Sequence, residues 1–224
     1  IEDLGPGGLL DVGKYGLADV PCARRSLQAG VDLALVRGDQ LLGGPTCGIL
    51  LGKKSLIDQV KSHSLYALLE ADKVTLAALA ATLQLHRDED RAEFAIPLIS
   101  LLATPSENLE HRAGHLAPQL AAAESIASAE AVKRDVGLCH ADAPWPRIGT
   151  WCVALQPAQG DVAALAQKLC RAQPAVFGRA DGDRLLLDLR SVLPGQDMQI
   201  AEALTAPAEE APTAAEQDPL PDAE

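Results

Sequence analysis

Apolar positions fall into three patterns along the chain: short unbroken runs near the start, helical spacing through the middle, and short runs around one helix toward the end. Residues 1–9 read as the end of a strand turning into a glycine-rich loop. Val31–Val36 and Gly48–Gly52 read as two buried strands that bracket Gly38-Asp39-Gln40-Leu41-Leu42-Gly43-Gly44-Pro45, whose glycines let backbone approach a ligand closely. Ser55–His63 is predicted to be a short amphipathic helix with Ile57 and Val60 on one face. Asp72 or Thr75 caps a longer helix to about His86, and its Leu76, Leu79, Leu83 and alanines read as a core-packing stripe. Helices are predicted for Arg91–Leu102 and for Ser106 to about Ser125, with Ser106 as N-cap and Pro118 kinking or dividing the second. From about residue 129 short strands surround one helix. Trp151–Leu155 is a strand, Asp161–Arg171 a helix burying Val162, Leu165 and Leu169, and Val176–Arg179 and Arg184–Leu189 are strands joined by an Ala180–Asp183 hairpin. Gln196–Leu204 is a last helix, and an antiparallel sheet with helices on one side closes this part.

At 224 residues, with 48% hydrophobic and 22% charged content, the chain is long enough for one or two domains, and 3% aromatic content leaves Leu, Val, Ile and Ala to build the core. No apolar run reaches the ~20 residues that cross a bilayer, and Ile1-Glu2-Asp3 lacks the basic and apolar regions of a signal peptide. Five scattered cysteines without a CxxC pair fit a reducing compartment, which predicts a cytoplasmic protein without a disulfide framework or zinc site. His111 and His115 share a helix face as metal ligands would, but their neighbours Glu107, Glu110 and Arg112 favour a solvated face, so no metal is expected. Cys139-His140 resembles a thiol and base, yet adjacent side chains seldom point at each other.

Half of the net charge of −12 comes from the six acidic residues between Thr205 and Glu224, a stretch without Lys or Arg. Its Ala/Pro richness predicts a disordered acidic tail over 205–224. Neither part of the chain carries the clustered positive charge that grips a phosphate backbone, so tRNA binding by this chain is not expected, and no membrane association is expected either.

The glycine loop, together with Asp3-Leu4-Gly5, Tyr15-Gly16-Leu17, Ala29–Leu33, Gly52-Lys53-Lys54, Asp72–Leu79 and Asp183–Arg190, resembles the selenocysteine synthases in family order. These are L-seryl-tRNA(Sec) selenium transferases, and the likeness spans residues 1 to about 204, weakest between about 125 and 148. The resemblance implies a pyridoxal phosphate enzyme of fold-type I. The fold class expected is therefore α/β: the C-terminal part of a fold-type I large domain, then a small α+β domain with an antiparallel sheet. Residues 1–104 would be a partial cofactor-binding domain lacking its N-terminal half, and 105–204 a linking helix and the small domain.

In the family the loop reads Gly-Asp-Lys-Leu-Leu-Gly-Gly-Pro, and its lysine holds the cofactor as an imine. This chain has Gln40 there, with Asp39, Gly43 and Gly44 kept around it. A carboxamide nitrogen is delocalised and neither condenses with an aldehyde nor acts as a base. Covalent pyridoxal phosphate is therefore not expected. Ala67 and Glu70 stand where the resemblance implies arginines that hold an anionic selenium donor; an Ala removes such a contact and a Glu repels the anion. Asp3 matches the aspartate that pairs with the cofactor's ring nitrogen, or else it caps the end of its strand. In the stretch Val136–Pro144 the family's glycine run is lost, which would impair domain closure. Together these departures predict a truncated or degenerate, non-catalytic homologue that acts as a homo-oligomer or with a complementing N-terminal half. The alternatives are one subunit of a split active transferase, or a non-covalent cofactor-binding or scaffold module.

Overall fold

The structure, a computed structural model, describes residues 1–137 and 146–205. Cys139-His140, most of the Val136–Pro144 stretch and the acidic tail after Thr205 lie outside the described residues. The chain is mixed α/β with two sheets and divides into two compact units, Ile1–Leu109 with Arg134–Thr150, and Glu110–Lys133 with Trp151 onward.

In the first unit, β1 (Glu2–Asp3), a 3₁₀ turn (Val12–Tyr15) and α1 (Ala23–Gln28) lead to β2 (Leu33–Arg37) and β3 (Gly48–Gly52). The sheet runs β1-β2-β3, with β1 parallel to β2 (Asp3 opposite Leu35) and β3 antiparallel to it (Leu35 opposite Leu50). Alternation along β2 turns Ala34 and Val36 into a core with Leu4, Ala23, Ile49 and Leu51. Asp3, Leu35 and Arg37 consequently share the other face.

Five short helices follow: α2 (Lys54–Ser62), α3 (Tyr66–Leu69), α4 (Lys73–Leu85), α5 (Glu89–Ala95) and α6 (Pro97–Ala103). Asp72 caps α4, its carboxylate accepting the amides of Val74 at 2.7 Å and Thr75 at 3.0 Å. The core stripe expected in α4 is not there: no residue of this helix is fully buried, and Leu76 is 47% exposed. The predicted Arg91–Leu102 helix is two helices, because Pro97 cannot donate to the preceding turn and instead occupies the first position of α6. The buried side of that pair, Ala92, Ile96 and Ile99, packs with Leu10.

Helix α7 (Ser106–Ala121) begins with the amide of Leu109 bonded to the Pro105 carbonyl, so Pro105 and not Ser106 stands at its cap. The helix runs through Pro118 to Ala121; the hydrogen bond that proline cannot make belongs to the last turn, where its loss does not divide the helix. The second sheet has the order β4-β5-β7-β6, formed by β4 (Ile126–Gly137), β5 (Arg147–Pro157), β6 (Arg179–Asp181) and β7 (Arg184–Asp188). β7 is antiparallel to both β5 and β6. Gly182, with φ of 62°, takes the first of two central positions in the β6–β7 hairpin, the place that needs a positive φ in a type II′ turn. β6 falls at Arg179–Asp181 and not at the Val176–Arg179 expected.

Between β5 and β6, α8 (Val162–Cys170) is capped by Asp161 and buries Leu165 and Leu169. A final helix, α9 (Asp197–Thr205), is tied to α7 by Arg112, whose Nε and Nη2 donate to the two Asp197 oxygens at 2.9 and 2.6 Å. Arg112 Nη2 also donates to the Val192 carbonyl at 3.0 Å, so the residue expected beside a solvated histidine face is instead a half-buried clamp. Among the described residues no helix is long and apolar enough to cross a membrane.

Candidate functional site

The loop between β2 and β3 is held in three ways that follow from its sequence. Backbone closes it: Gly38 N–H donates to the Cys47 carbonyl at 2.9 Å, Gly44 N–H to the Gly38 carbonyl at 2.8 Å, and Gly43 N–H to the Gln40 carbonyl at 2.8 Å. Two glycines are obligatory there. Any Cβ at Gly38 would run into the Pro45 carbonyl and the Cys47 sulfur, while Gly43 has φ of 69° and faces Ile96. Burial anchors it as well, since Leu42 is wholly covered and Leu41 packs with Val12, Leu17, Val20 and Leu102.

The third restraint is electrostatic. Arg37 grips Asp39 with both branches of its guanidinium, Nε at 3.1 Å and Nη2 at 3.0 Å, and the Thr46 hydroxyl donates to the same carboxylate at 3.1 Å. These donors, Arg37 foremost, hold the Asp39 carboxyl below the ordinary aspartate value, and Asp39 raises Arg37 in return. Asp3 adds a weaker pull on Arg37 from the end of β1. Its own Oδ1 accepts the Gly5 amide at 2.9 Å, the bond expected of a residue that caps its strand. Asp3, Arg37 and Asp39 thus form one polar group at the end of β1 and β2. The sequence pattern missed Arg37 and Thr46; the signal was an arginine two positions before Asp39, the spacing that returns a side chain to the same face of a strand.

Helix α4 closes the far side of the loop through His86. Its Nε2 lies 2.8 Å from the Leu42 carbonyl, which can only accept, so Nε2 carries the proton; the buried Nδ1 finds no partner among the described residues.

Gln40 is half-buried between these restraints. The two lysines nearest the loop in sequence are occupied elsewhere, Lys53 with Asp32 and Lys54 with Asp58 at 2.6 Å. The residue present therefore does not fit an aldehyde cofactor tethered at position 40, because a carboxamide and not an amine stands there. Ala67 lies in α3 and Glu70 directly after it, both exposed. In α7 the rings of His111 and His115 stack with centroids 6.5 Å apart, and no group of three or more metal-ligating side chains occurs among the described residues. The second unit holds a separate cleft of about 330 Å³ lined by Val176, Phe177, Val192, Gln196, Gln199 and Ile200, with no titratable group among these six.

Fold and loop define a mixed α/β protein with a glycine-rich loop between β2 and β3 that carries an amide, Gln40, at a half-buried position. The family model SelA, L-seryl-tRNA selenium transferase, matches residues 1–193, and the chain belongs to that family. It is 36% identical over 211 residues to the L-seryl-tRNA(Sec) selenium transferase of Moorella thermoacetica, covering 91% of this chain and 44% of that protein. The Yersinia enterocolitica protein of the same name is 40% identical over 195 residues, covering 84% of this chain and 42% of its own length. The Hyphomonas neptunium one is 35% identical over 203 residues, covering 91% and 44%. The chain thus spans less than half the length of these curated relatives.

Proposed function

We propose that this chain is a non-catalytic relative of the selenium transferases that convert seryl-tRNA(Sec) to selenocysteinyl-tRNA(Sec), with its loop kept for folding and not for holding pyridoxal phosphate. The observation that carries the reading is the carboxamide of Gln40 inside a loop whose other restraints are intact. An imine needs a nucleophilic amine at that place, which a carboxamide does not supply. Ala67 and Glu70 support the same reading, since neither can hold an oxyanion as an arginine does. Asp3 bonded to its own turn supports a capping role over a cofactor contact.

The test is to mix the purified chain with pyridoxal phosphate, reduce with borohydride and map any adduct by mass spectrometry. The parent chain is expected to show no imine absorption and no adduct in the loop, whereas Gln40→Lys is expected to gain a borohydride-fixed adduct at residue 40. A fixed adduct in the loop of the parent chain overturns the proposal. Tight calorimetric binding without an adduct would favour the non-covalent module instead, and transferase activity on mixing with a complementary polypeptide would favour the split enzyme.

A further inference from the structure

The cleft of the second unit is built before anything enters it. One wall is the strip from Pro174 to Phe177, which is held in two ways. The Val176 amide donates to the Leu169 carbonyl at 2.9 Å, and Gly178 lies so close to Leu185 that any side chain there would run into it. Within the cleft Ile200 is buried and Val192 half-buried, whereas Phe177 at its edge is 77% exposed. Gln196 and Gln199 are exposed beside them, and the Gln196 oxygen already accepts the Leu193 amide at 3.1 Å, which leaves its NH2 group free to donate outward. An aromatic ring and aliphatic side chains lined by amide donors suit an extended proline-containing segment. The apolar groups cover its rings, and the amides reach carbonyls that a polyproline helix leaves without internal hydrogen bonds. At about 330 Å³ the cleft is at the small end of the roughly 300–1,000 Å³ of ligand pockets, room for a few side chains.

We propose that this cleft is a docking groove for the chain's own Pro219-Leu220-Pro221, bound within the same molecule. The inference does not depend on whether residue 40 can react. Composition picks out the motif: between Ala206 and Glu224, Leu220 is the only apolar residue besides alanine and proline. The proline that follows it biases Leu220 toward extended backbone, so little freedom is lost on docking.

Reach and charge agree with this occupant. Helix α9 ends at Thr205, and Ile200 lies about 8 Å back along it, whereas the connection 206–218 spans up to about 40 Å. A tether of that kind sets an effective concentration on the order of millimolar, so a contact too weak to retain a free peptide is occupied within one molecule. Glu216, Asp218 and Asp222 flank the motif. Arg171 and Arg179 bracket the 174–177 strip, both exposed and without an ion pair among the described residues. Acid on the segment thus meets base beside the groove.

The test is nuclear magnetic resonance of the full chain, read at the Phe177 ring and the side-chain amides of Gln196 and Gln199. In the parent, Overhauser contacts from the Leu220 methyls to the Phe177 ring are expected, unchanged on dilution. Leu220→Asp is expected to shift the cleft signals and leave those of the first unit unmoved. A synthetic peptide of residues 214–224 added to the Leu220→Asp chain is expected to restore the parent signals, but only at millimolar concentration. Arg171→Glu with Arg179→Glu is expected to place the cleft signals between those of the parent and of Leu220→Asp, with an unchanged circular dichroism spectrum. Cleft signals identical in the parent and in Leu220→Asp overturn the proposal, as do methyl-to-ring contacts that fade on dilution, which would mean that the segment docks on another molecule.

Discussion

Glu93 shows how a single carboxylate couples distant segments within the first unit. It pairs with Lys14 and accepts the Tyr15 hydroxyl at 2.5 Å, tying the 3₁₀ turn to α5. The two donors hold the Glu93 carboxyl below the ordinary glutamate value, Lys14 most of all. Burial, and then the Glu93 hydrogen bond, push the Tyr15 phenol up to about 12. The signs follow directly. A depressed carboxylate stabilises the fold above its unfolded value and loses that contribution as pH falls, and a raised phenol stabilises below its ordinary ~10 and loses it as pH rises toward the folded value. In a Tyr66→Phe background, ultraviolet titration is therefore expected to find Tyr15 ionising well above a free tyrosine, and Glu93→Gln to bring it part of the way back. A phenol that titrates at the free value in both proteins would show that the Tyr15–Glu93 bond does not form in solution.

At the scale of elements, the clamp from α7 to α9 ties two helices of the second unit through one side chain. Arg112 is mostly covered and Asp197 is 27% exposed, so Arg112→Ala, which strands a half-buried carboxylate, is expected to cost about 1–3 kcal/mol. Urea denaturation is expected to show that loss, and Asp197→Ala added to it should cost less than the two changes separately; strict additivity would mean the two do not interact. Elements whose own residues dictate them were legible in the sequence. β2 and β3 are continuous apolar runs bracketed by glycine, and α8 has both its cap, Asp161, and its buried Leu165 and Leu169 at helical spacing. Elements decided by context were not. Ile126–Gly137 is rich in Ala and charge, with little of the β-branched character that marks a strand, yet pairing in its sheet makes it one. The stripe in α4 was legible as apolar, but which surface covers it is a property of its surroundings and not of its spacing. In the site, the loop and Gln40 could be read directly, whereas the grip of Arg37 and Thr46 on Asp39 required knowing that strand pairing returns the chain to the same place.

For the whole molecule, charge decides what it meets. The chain carries −12 overall, and half of that lies outside its last twenty residues, so the body is net acidic even without them. We expect no retention of tRNA in gel shift at about 0.15 M salt, where a protein that neutralises several phosphates still binds. Salt-sensitive retention would instead mean that local basic clusters outweigh the total.

Every restraint on the β2–β3 loop passes through residues other than the glutamine side chain: the guanidinium grip, the hydroxyl, the two buried leucines and the glycines. An exchange of the side chain at position 40 therefore leaves each of these restraints in place. A reactive group can be lost there in one step while the architecture persists, and a reversal in one step would find the receiving loop already shaped.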